Sequence, residues 1–206
     1  GRALAPLRRR AARGACRRPP PTSFVAFVQN HDQVGNRAFG ERITDLAPEE
    51  AVRAAAAVYL LSPQVPMLFM GEEWAASSPF PFFCDFGEEL APLVTEGRRE
   101  EFASFPEFSD PATRGRIPDP SDESTFRMAV LEWEEREDGI HRRLLEHYRD
   151  LLALRKREIS PRLGNVPGGS ALYRVVGERG LRVQWPLGDG SLLTLLANLG
   201  GEELGG

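Results

Sequence analysis

The sequence predicts an α/β fold, because two short apolar runs flank an alanine-rich helical segment and three alternating segments follow later in the chain. The runs at residues 24–29 and 65–70 are predicted to be buried strands. Strand, helix and strand in this order form a βαβ unit, which pairs two parallel strands through a right-handed crossover. Residues 171–176, 181–185 and 192–198 alternate apolar and polar side chains between glycine-containing turns, which predicts an antiparallel β module.

Two helices are predicted from local signals. The first begins at residues 47–50, with a proline and two acids in its first turn, and ends before Ser62 and Pro63. The second covers residues 141–158 and is amphipathic. Its apolar side consists of Leu144, Leu145, Tyr148, Leu151, Leu152 and Leu154. Between the helices, residues 78–135 show little periodicity and are predicted to form a long irregular excursion, a kind of segment that is commonly functional.

The charge of the chain is unevenly distributed. The 206 residues carry a net charge of -4, but residues 1–22 hold seven arginines and no acid, so the remainder carries -11. An acidic body argues against a nucleic-acid surface, and no run reaches the roughly 18 apolar residues of a membrane span. Cys16 and Cys84 form no CxxC pattern, which argues against a zinc site or a disulfide framework. We therefore expect a cytoplasmic protein that binds neither nucleic acid nor membranes.

Polar side chains follow the first apolar run directly. The run ends in Asn30, His31 and Asp32, an amide, an imidazole and a carboxylate. Parallel α/β sheets and barrels carry their chemistry at the carboxyl ends of their strands, so these residues are predicted to form the rim of an active site. The alternative is a polar turn that only caps the strand.

Five collinear motifs resemble the malto-oligosyltrehalose trehalohydrolases, members of glycoside hydrolase family 13 in the α-amylase superfamily. The first motif, residues 27–37, is similar to the seventh-strand motif of that superfamily. The others are residues 66–74, 82–86, 97–102, and the group formed by residues 117–120 with Thr125, Phe126 and Trp133. The resemblance covers residues 23–199.

The resemblance implies a domain organisation. Residues 23–160 are expected to be the C-terminal part of a (β/α)8 TIM barrel, with strands 7 and 8 and their helices, and residues 161–206 a truncated antiparallel β domain. A complete barrel needs about 250 residues, so the chain is expected to be a C-terminal fragment. Residues 1–22 do not match the family and are predicted to be a disordered basic tail. A shifted reading frame or a fusion scar is our hypothesis for their origin, and a basic arm for anionic surfaces is the alternative.

The resemblance also implies roles for individual residues. Asp32 corresponds to the third carboxylate of the family, which stabilises the oxocarbenium-like transition state, and His31 to a donor to the same sugar. The implied substrate-contacting loop continues through Gln33, Val34, Gly35, Asn36 and Arg37. The nucleophile and the acid/base of the family lie on earlier strands, so the chain alone is expected to be inactive. No metal or organic cofactor is implied.

Three further residues are predicted to contact a sugar. Glu72 and Trp74 follow the second apolar run. There the carboxylate of Glu72 would accept hydrogen bonds from sugar hydroxyls, and the indole of Trp74 would stack on a pyranose ring. Asp85 lies in the excursion, beside phenylalanines that are predicted to line a groove. These aromatic residues are Phe80, Phe82, Phe83 and Phe86. For Glu72 and Trp74 the alternative is a solvated strand exit with one buried aromatic side chain, and for each phenylalanine it is core packing.

The implied reaction is hydrolysis of the α-1,4 bond between a maltooligosyl chain and a terminal trehalose. The expected partner is therefore maltooligosyltrehalose or maltodextrin. Two alternatives remain: another enzyme of the superfamily, such as a branching or trehalose-forming transferase, and a non-catalytic maltodextrin-binding protein. Residues 33–37 and 82–85 argue against the first alternative, and the second requires a chain that folds independently.

Overall fold

The computed structural model describes residues 18–201, which form helices and strands in two compact units. The first unit contains residues 18–27, 53–67 and 147–201, and the second contains residues 28–52 and 68–146. The strands are β1 (Val25–Ala26), β2 (Val65–Pro66), β3 (Leu172–Val176), β4 (Gly180–Pro186) and β5 (Leu192–Asn198). The helices are α1 (His31–Gly35), α2 (Ile43–Leu46), α3 (Glu49–Leu60), α4 (Ala91–Phe102), α5 (Pro111–Gly115), α6 (Glu123–Met128) and α7 (Gly139–Leu154).

Strands β1 and β2 form the predicted parallel pair, with Val25 opposite Val65 and Ala26 opposite Pro66. The prediction of two buried six-residue strands is wrong, because each strand has only two residues and the side chains are open to solvent. Phe24 is 52% exposed, Val25 55% and Val65 47%. Within the described residues these strands form a sheet of two. A sheet of two strands makes few ladder hydrogen bonds and buries little surface, so its strands stay short.

Helix α3 begins at Glu49, within the predicted start, and ends at Leu60. Its first-turn acids, Glu49 and Glu50, lie at the positive end of the helix dipole, as predicted. Ala56 and Leu60 are completely buried. The hydroxyl of Ser62 then donates to the carbonyl of Tyr59 at 2.9 Å, in the last turn of the helix, where carbonyls lack donors from the helix itself.

One buried arginine holds the chain between α3 and β2. Arg155 is 8% exposed and begins a π-helical turn, Arg155–Ile159. Its Nη1 donates to the carbonyls of Leu60 at 2.7 Å and Ser62 at 2.5 Å, and its Nη2 donates to Gln64 at 2.6 Å. Burial lowers the pKa of Arg155 from its usual value. A single guanidinium thus satisfies carbonyls that have no partner in a helix or sheet.

Helix α7 confirms the predicted amphipathic helix, with a regular part that ends at Leu154. Leu144 is fully buried and Tyr148 is 1% exposed, as their shared face predicts. Leu152 was predicted on the same face, but it is 37% exposed. That position lies on the margin of the apolar stripe, where the helical period turns the side chain toward solvent.

Strands β3, β4 and β5 confirm the predicted antiparallel module and pair in that order. Val183 on β4 lies opposite Leu195 on β5. In the described part of the chain β5 is an edge strand, and its seven residues carry no charge. Its outward leucines are widely exposed, Leu192 at 57% and Leu196 at 73%. Between residues 18 and 201, no further strand pairs with β5, and its exposed side chains are largely apolar.

The first unit contains an apolar cavity of about 420 Å³. It is lined by the second half of α3, by Leu154 at the end of α7, by Ile159 of the π-helical turn, and by β4 and β5 side chains that include Trp185 and Leu193. None of the predicted site residues lines it.

The excursion at residues 78–135 differs from the prediction, because it contains the helices α4, α5 and α6. The twelve-residue α4 is rich in Glu and Arg, whose helix propensity is high, but its few apolar residues give a weak period. Asp110 and Asp122 are the N-caps of α5 and α6, and their carboxylates accept hydrogen bonds from backbone N–H groups of the first turn. These backbone hydrogen bonds lower the pKa of both aspartates.

The described residues therefore form a mixed α/β structure with a three-stranded antiparallel sheet, in agreement with the predicted class. The predicted domain boundaries after residues 22 and 160 stay a prediction. Residues 1–17 of the predicted basic tail lie outside the described residues. Its last two residues, Pro21 and Thr22, belong to a 3-10 turn at Pro21–Ser23. Between residues 18 and 201, no helix is long and apolar enough to cross a membrane.

Replacement of Arg155 by methionine should lower the free energy of unfolding by about 2–4 kcal/mol, because three buried carbonyls lose their donor. Urea denaturation measures the change. Arg157→Met on the same turn is the matched control, since the Arg157 side chain is 66% exposed and pairs with the neighbouring Glu158. Equal losses for both variants would contradict the assigned role of Arg155.

Two glycines of the second unit should respond differently to alanine. Gly40 has φ +70°, and an added Cβ would lie 2.2 Å from the nitrogen of Pro81, so Gly40→Ala should destabilise by more than about 2 kcal/mol. Gly35 lies in α1, and an added Cβ would meet nothing closer than 3.8 Å. Gly35→Ala should therefore shift stability by less than about 1 kcal/mol in the same denaturation experiment. A large loss for Gly35→Ala would contradict this geometry.

Candidate functional site

The predicted rim residues lie on α1, a five-residue helix that follows β1. Asn30 is its N-cap, and its side-chain oxygen accepts a hydrogen bond from the backbone N–H of Gln33 at 3.0 Å. Asp32 lies in the first turn, where the helix dipole favours a negative charge. Asn30 thus has the capping role that was the alternative for Asn30, His31 and Asp32 together. The side chains of His31 and Asp32 remain available to a ligand.

His31 and Asp32 form an open acid–imidazole pair. The Nε2 atom of His31 lies 3.3 Å from Oδ1 of Asp32, and the two side chains are 72% and 70% exposed. A polar pair as exposed as this one contributes little to stability. The pair therefore has little structural value, and its polar atoms can reach a ligand on the solvent side of α1.

The other residues of the predicted loop divide by exposure. Gln33, Asn36 and Arg37 are exposed, whereas Val34 is 2% exposed and Gly35 is buried. The guanidinium of Arg37 lies 3.4 Å from the carboxylate of Glu41 one turn later. Polar side chains on α1 and directly after it are therefore open to a ligand, whereas the side chain of Val34 is buried.

Arg98 of α4 anchors the C-terminal end of α1. Its Nη2 donates to the carbonyls of Gly35 and Arg37, both at 2.8 Å. The guanidinium lies 5.0 Å from the ring centroid of Phe82 and 5.2 Å from that of Phe102. Arg98 is 8% exposed, and burial lowers its pKa from the usual value. The residue joins α1 to the aromatic part of the excursion.

Glu72 and Trp74 lie in a tight 3-10 turn after β2. Gly71 before the turn has φ +79° and Ala75 after it has φ 55°, both in the left-handed region. An added Cβ on Gly71 would lie 2.6 Å from the Cβ of Ala76, so the turn requires glycine there. Glu72 and Trp74 are each 2% exposed. The structure thus buries both side chains that were predicted to contact a sugar.

Trp74 packs against other aromatic and cationic groups rather than facing solvent. Its ring centroid lies 5.0 Å from that of Trp133, which is 52% exposed. The guanidinium of Arg136 lies 4.9 Å from the Trp133 ring and 5.9 Å from the Trp74 ring. Nδ1 of His141 is 2.9 Å from the carbonyl oxygen of Trp74. Of the two tryptophans, Trp133 is the one whose ring reaches the surface.

A second buried arginine supports the turn after β2. Arg42 is 1% exposed, and it donates from Nε to the carbonyl of Ser78 at 2.6 Å and from Nη1 to that of Met70 at 2.8 Å. Its guanidinium lies 5.3 Å from the ring centroid of Phe69. Burial lowers the pKa of Arg42, and the nearby carboxylates of Asp45 and Glu72 oppose this shift. The turn and the start of the excursion therefore share one anchor.

Asp85 lies in a separate groove of about 480 Å³. The groove is lined by residues 83–85, 120–123 and Phe126. The Phe126 ring is 52% exposed and stands edge-on to Phe83, with 5.2 Å between centroids. Asp85 itself is exposed. A half-exposed ring beside a free carboxylate matches the chemistry of a sugar, which offers C–H faces and hydroxyl donors.

The aromatic residues of the excursion form the predicted cluster in part. Phe80 makes edge contacts with Phe69 and Phe83, at centroid distances of 5.0 and 5.5 Å. Phe82 lies under Arg98, and Phe86 is 46% exposed. Phe80 and Phe83 thus join the groove at Asp85 to the packing around Arg42.

The structure groups the predicted residues in three places: the open face of α1, the buried turn after β2 and the groove at Asp85. Sequence reasoning missed Arg42 and Arg98. Arg98 lies within the motif at residues 97–102, but its role depends on contacts across more than sixty residues of chain. Among residues 18–201, no group of three His, Cys, Asp or Glu side chains is arranged to hold a metal ion.

Comparison with known proteins identifies relatives along most of the chain. A family described as a domain of unknown function, DUF3459, matches residues 168–205. The malto-oligosyltrehalose trehalohydrolase of Deinococcus radiodurans is 49% identical over 138 residues, which are 66% of this chain and 22% of the relative. The enzyme of the same name from Mycobacterium tuberculosis is 48% identical over 140 residues, 68% of this chain and 23% of the relative.

A solved structure supports the same relationship. The crystal structure of a protein described as an alpha amylase from Salmonella typhimurium superposes with a TM-score of 0.77 and 40% sequence identity. The superposition covers 87% of this chain and 29% of that protein. This chain thus spans less than a quarter of the length of the curated relatives that it matches. The chain belongs to the malto-oligosyltrehalose trehalohydrolase family of the α-amylase superfamily, and it matches the C-terminal part of these proteins.

Proposed function

We propose that this chain is the C-terminal part of a retaining glycosidase that cleaves maltooligosyltrehalose at the α-1,4 bond beside its trehalose end and releases trehalose. Maltodextrin would then be the source of that trehalose. The observation that carries the proposal is the identity of 48–49% with relatives that bear the name of this reaction. Because the chain spans only part of their length, the reaction belongs to the complete enzyme.

The parallel pair supports a position in the barrel. In the proposal β1 and β2 are its strands 7 and 8, residues 23–160 are the barrel part, and residues 161–206 begin the C-terminal β domain. Strands of a closed barrel have neighbours on both edges and a filled interior. The exposed side chains of Phe24, Val25 and Val65 are the surface that such neighbours would cover.

Asp32 is the residue for which we propose a catalytic role. It follows β1 at the carboxyl end, where barrel enzymes place their chemistry, and its carboxylate is open. Retaining glycosidases pass through an oxocarbenium-like transition state. A fixed carboxylate beside the developing positive charge stabilises that state, most strongly when water is excluded. His31 would donate to a hydroxyl of the same sugar. Gln33 on α1 and Asn36 directly after α1 would contact the next groups.

Other predicted contacts fit the proposal to different degrees. Asp85, beside the half-exposed Phe126 ring, offers a further sugar contact. The buried Glu72 and Trp74 would act by shaping the turn after β2. A cytoplasmic location of the complete enzyme is part of the proposal.

The chain by itself should not release trehalose. A retaining mechanism requires a nucleophile and an acid/base whose carboxyl groups lie about 5–5.5 Å apart, and we expect both on strands that precede β1 in the complete enzyme. Purified chain incubated with maltooligosyltrehalose should yield no trehalose above background. Release that disappears in Asp32→Asn would overturn the proposal, because this chain would then complete a site with carboxylates of its own.

A chimera tests the role of Asp32 directly. Residues 24–160 of this chain would replace the corresponding segment of the Deinococcus radiodurans relative, and we expect the chimera to release trehalose. Asp32→Asn in the chimera should lower kcat by about 10²–10³, the range found when one transition-state-stabilising group is lost. Asp150→Asn on the exposed face of α7 makes the same chemical change and should leave kcat within about twofold. Wild-type kcat in the Asp32→Asn chimera would exclude the assigned role.

A further inference from the structure

The helix that carries Asp32 cannot be stable by its own hydrogen bonds. Helix α1 has five residues, whereas isolated helices shorter than about 12 residues are marginal in water. Its last carbonyls have no partner inside the helix. The direction of the Asp32 carboxylate therefore depends on contacts from outside α1.

Two side chains supply hydrogen bonds to α1 in addition to the packing of the buried Val34, one at each end of the helix. Asn30 caps the N-terminal end through the backbone N–H of Gln33. Arg98 caps the C-terminal end, where its Nη2 donates to the carbonyls of Gly35 and Arg37 at 2.8 Å each. A cation at this end also opposes the negative end of the helix dipole. The first cap is local in sequence, and the second comes from more than sixty residues away.

The environment of Arg98 fixes its guanidinium in one orientation. The group lies between the rings of Phe82 and Phe102, at 5.0 and 5.2 Å, and the residue is 8% exposed. A planar guanidinium can stack on rings and donate in its own plane at the same time, which an ammonium group cannot do. The two carbonyls are thus held by a rigid donor, whose position depends on the aromatic excursion.

We propose that Arg98 is a positioning residue for Asp32: it fixes α1 from its C-terminal end and couples the orientation of the Asp32 carboxylate to the aromatic segment at Phe82. That the orientation of Asp32 serves catalysis rests on the proposed function. The anchoring of α1 by Arg98 does not depend on it. Arg98 touches no reacting atom in this scheme. It acts through Gly35 and Arg37.

Amide hydrogen exchange on the full chain tests the anchoring without any sugar. The reporters are the amides of Val34, Asn36 and Arg37, which donate to backbone carbonyls within residues 30–34. In Arg98→Met their exchange should accelerate at least about tenfold, because two charge-assisted hydrogen bonds are lost. Exchange of the amides in β3–β5 should stay unchanged, which separates a local effect from a general loss of stability.

Two variants serve as controls. Arg99→Met removes the same charge from the next residue of α4, whose Nε has no hydrogen-bond partner within residues 18–201, and should leave the α1 amides unchanged. Arg98→Lys keeps the charge and the ability to donate hydrogen bonds but loses the planar fork, so it should restore only part of the protection. Unchanged α1 exchange in Arg98→Met, or equal acceleration in Arg98→Met and Arg99→Met, would overturn the proposal.

A measurement on the wild-type chain covers the case in which Arg98→Met does not fold. The Nη protons of Arg98 should exchange with water at least about tenfold more slowly than those of Arg127, whose side chain is 71% exposed. Their nuclear magnetic resonance signals should also show scalar coupling across the hydrogen bonds to the carbonyl carbons of Gly35 and Arg37. Rapid exchange at Arg98, as at Arg127, would overturn the anchoring in the native chain.

A titration with maltopentaose separates this proposal from the proposed function. If the wild-type chain binds the sugar at α1, Arg98→Met should raise the Kd at least about fivefold, and Arg99→Met should not. If Asp32→Asn leaves the Kd unchanged while Arg98→Met still loosens α1, the sugar contact fails and the anchoring stands. Tighter or equal binding by a loosened Arg98→Met chain would overturn the coupling between the anchor and the site.

Discussion

Backbone carbonyls that have lost their secondary-structure partners are satisfied here by buried guanidinium groups. Arg155 donates to three carbonyls between α3 and β2, Arg98 to two at the end of α1, and Arg42 to two around the turn after β2. A buried carbonyl without a donor costs about 1–3 kcal/mol, and a chain with short helices and long connections has many of them. Arginine suits this task because it carries five donors in one plane.

The same three groups carry charge into the interior, and their surroundings compensate for it. Burial lowers the pKa of Arg42, Arg98 and Arg155, but arginine begins so high that each stays protonated. The compensation comes from carbonyl dipoles and, for Arg42 and Arg98, also from aromatic faces and nearby carboxylates. An apolar side chain of similar volume would avoid the desolvation but would leave the carbonyls unpaired. The arginines therefore specify where the connections lie.

Sequence patterns predicted the elements whose signal is local, and they failed where distant partners decide. The alternation in β3–β5 and the period of α7 are properties of short windows, and the structure confirms both elements. The burial of β1 and β2 depends on neighbours, which the described residues do not supply, so that prediction was wrong. For the candidate site, the polar residues after β1 were visible in the sequence. The burial of Trp74 and the hydrogen bonds from Arg98 to α1 arise only from tertiary packing. The α4 helix was missed because charged residues with high helix propensity produce no apolar period.

The open edge at β5 determines how this chain behaves at high concentration. Seven uncharged residues without proline, with outward leucines, form a template on which another extended strand can add by backbone hydrogen bonds. Protein folds commonly block such edges with lysine, proline or a covering loop. Intermolecular strand addition here would compete with refolding in proportion to protein concentration, so recovery of native chain from denaturant will depend on dilution. Replacing the exposed Leu196 by lysine would put a charge on β5 and hinder strand addition at this edge.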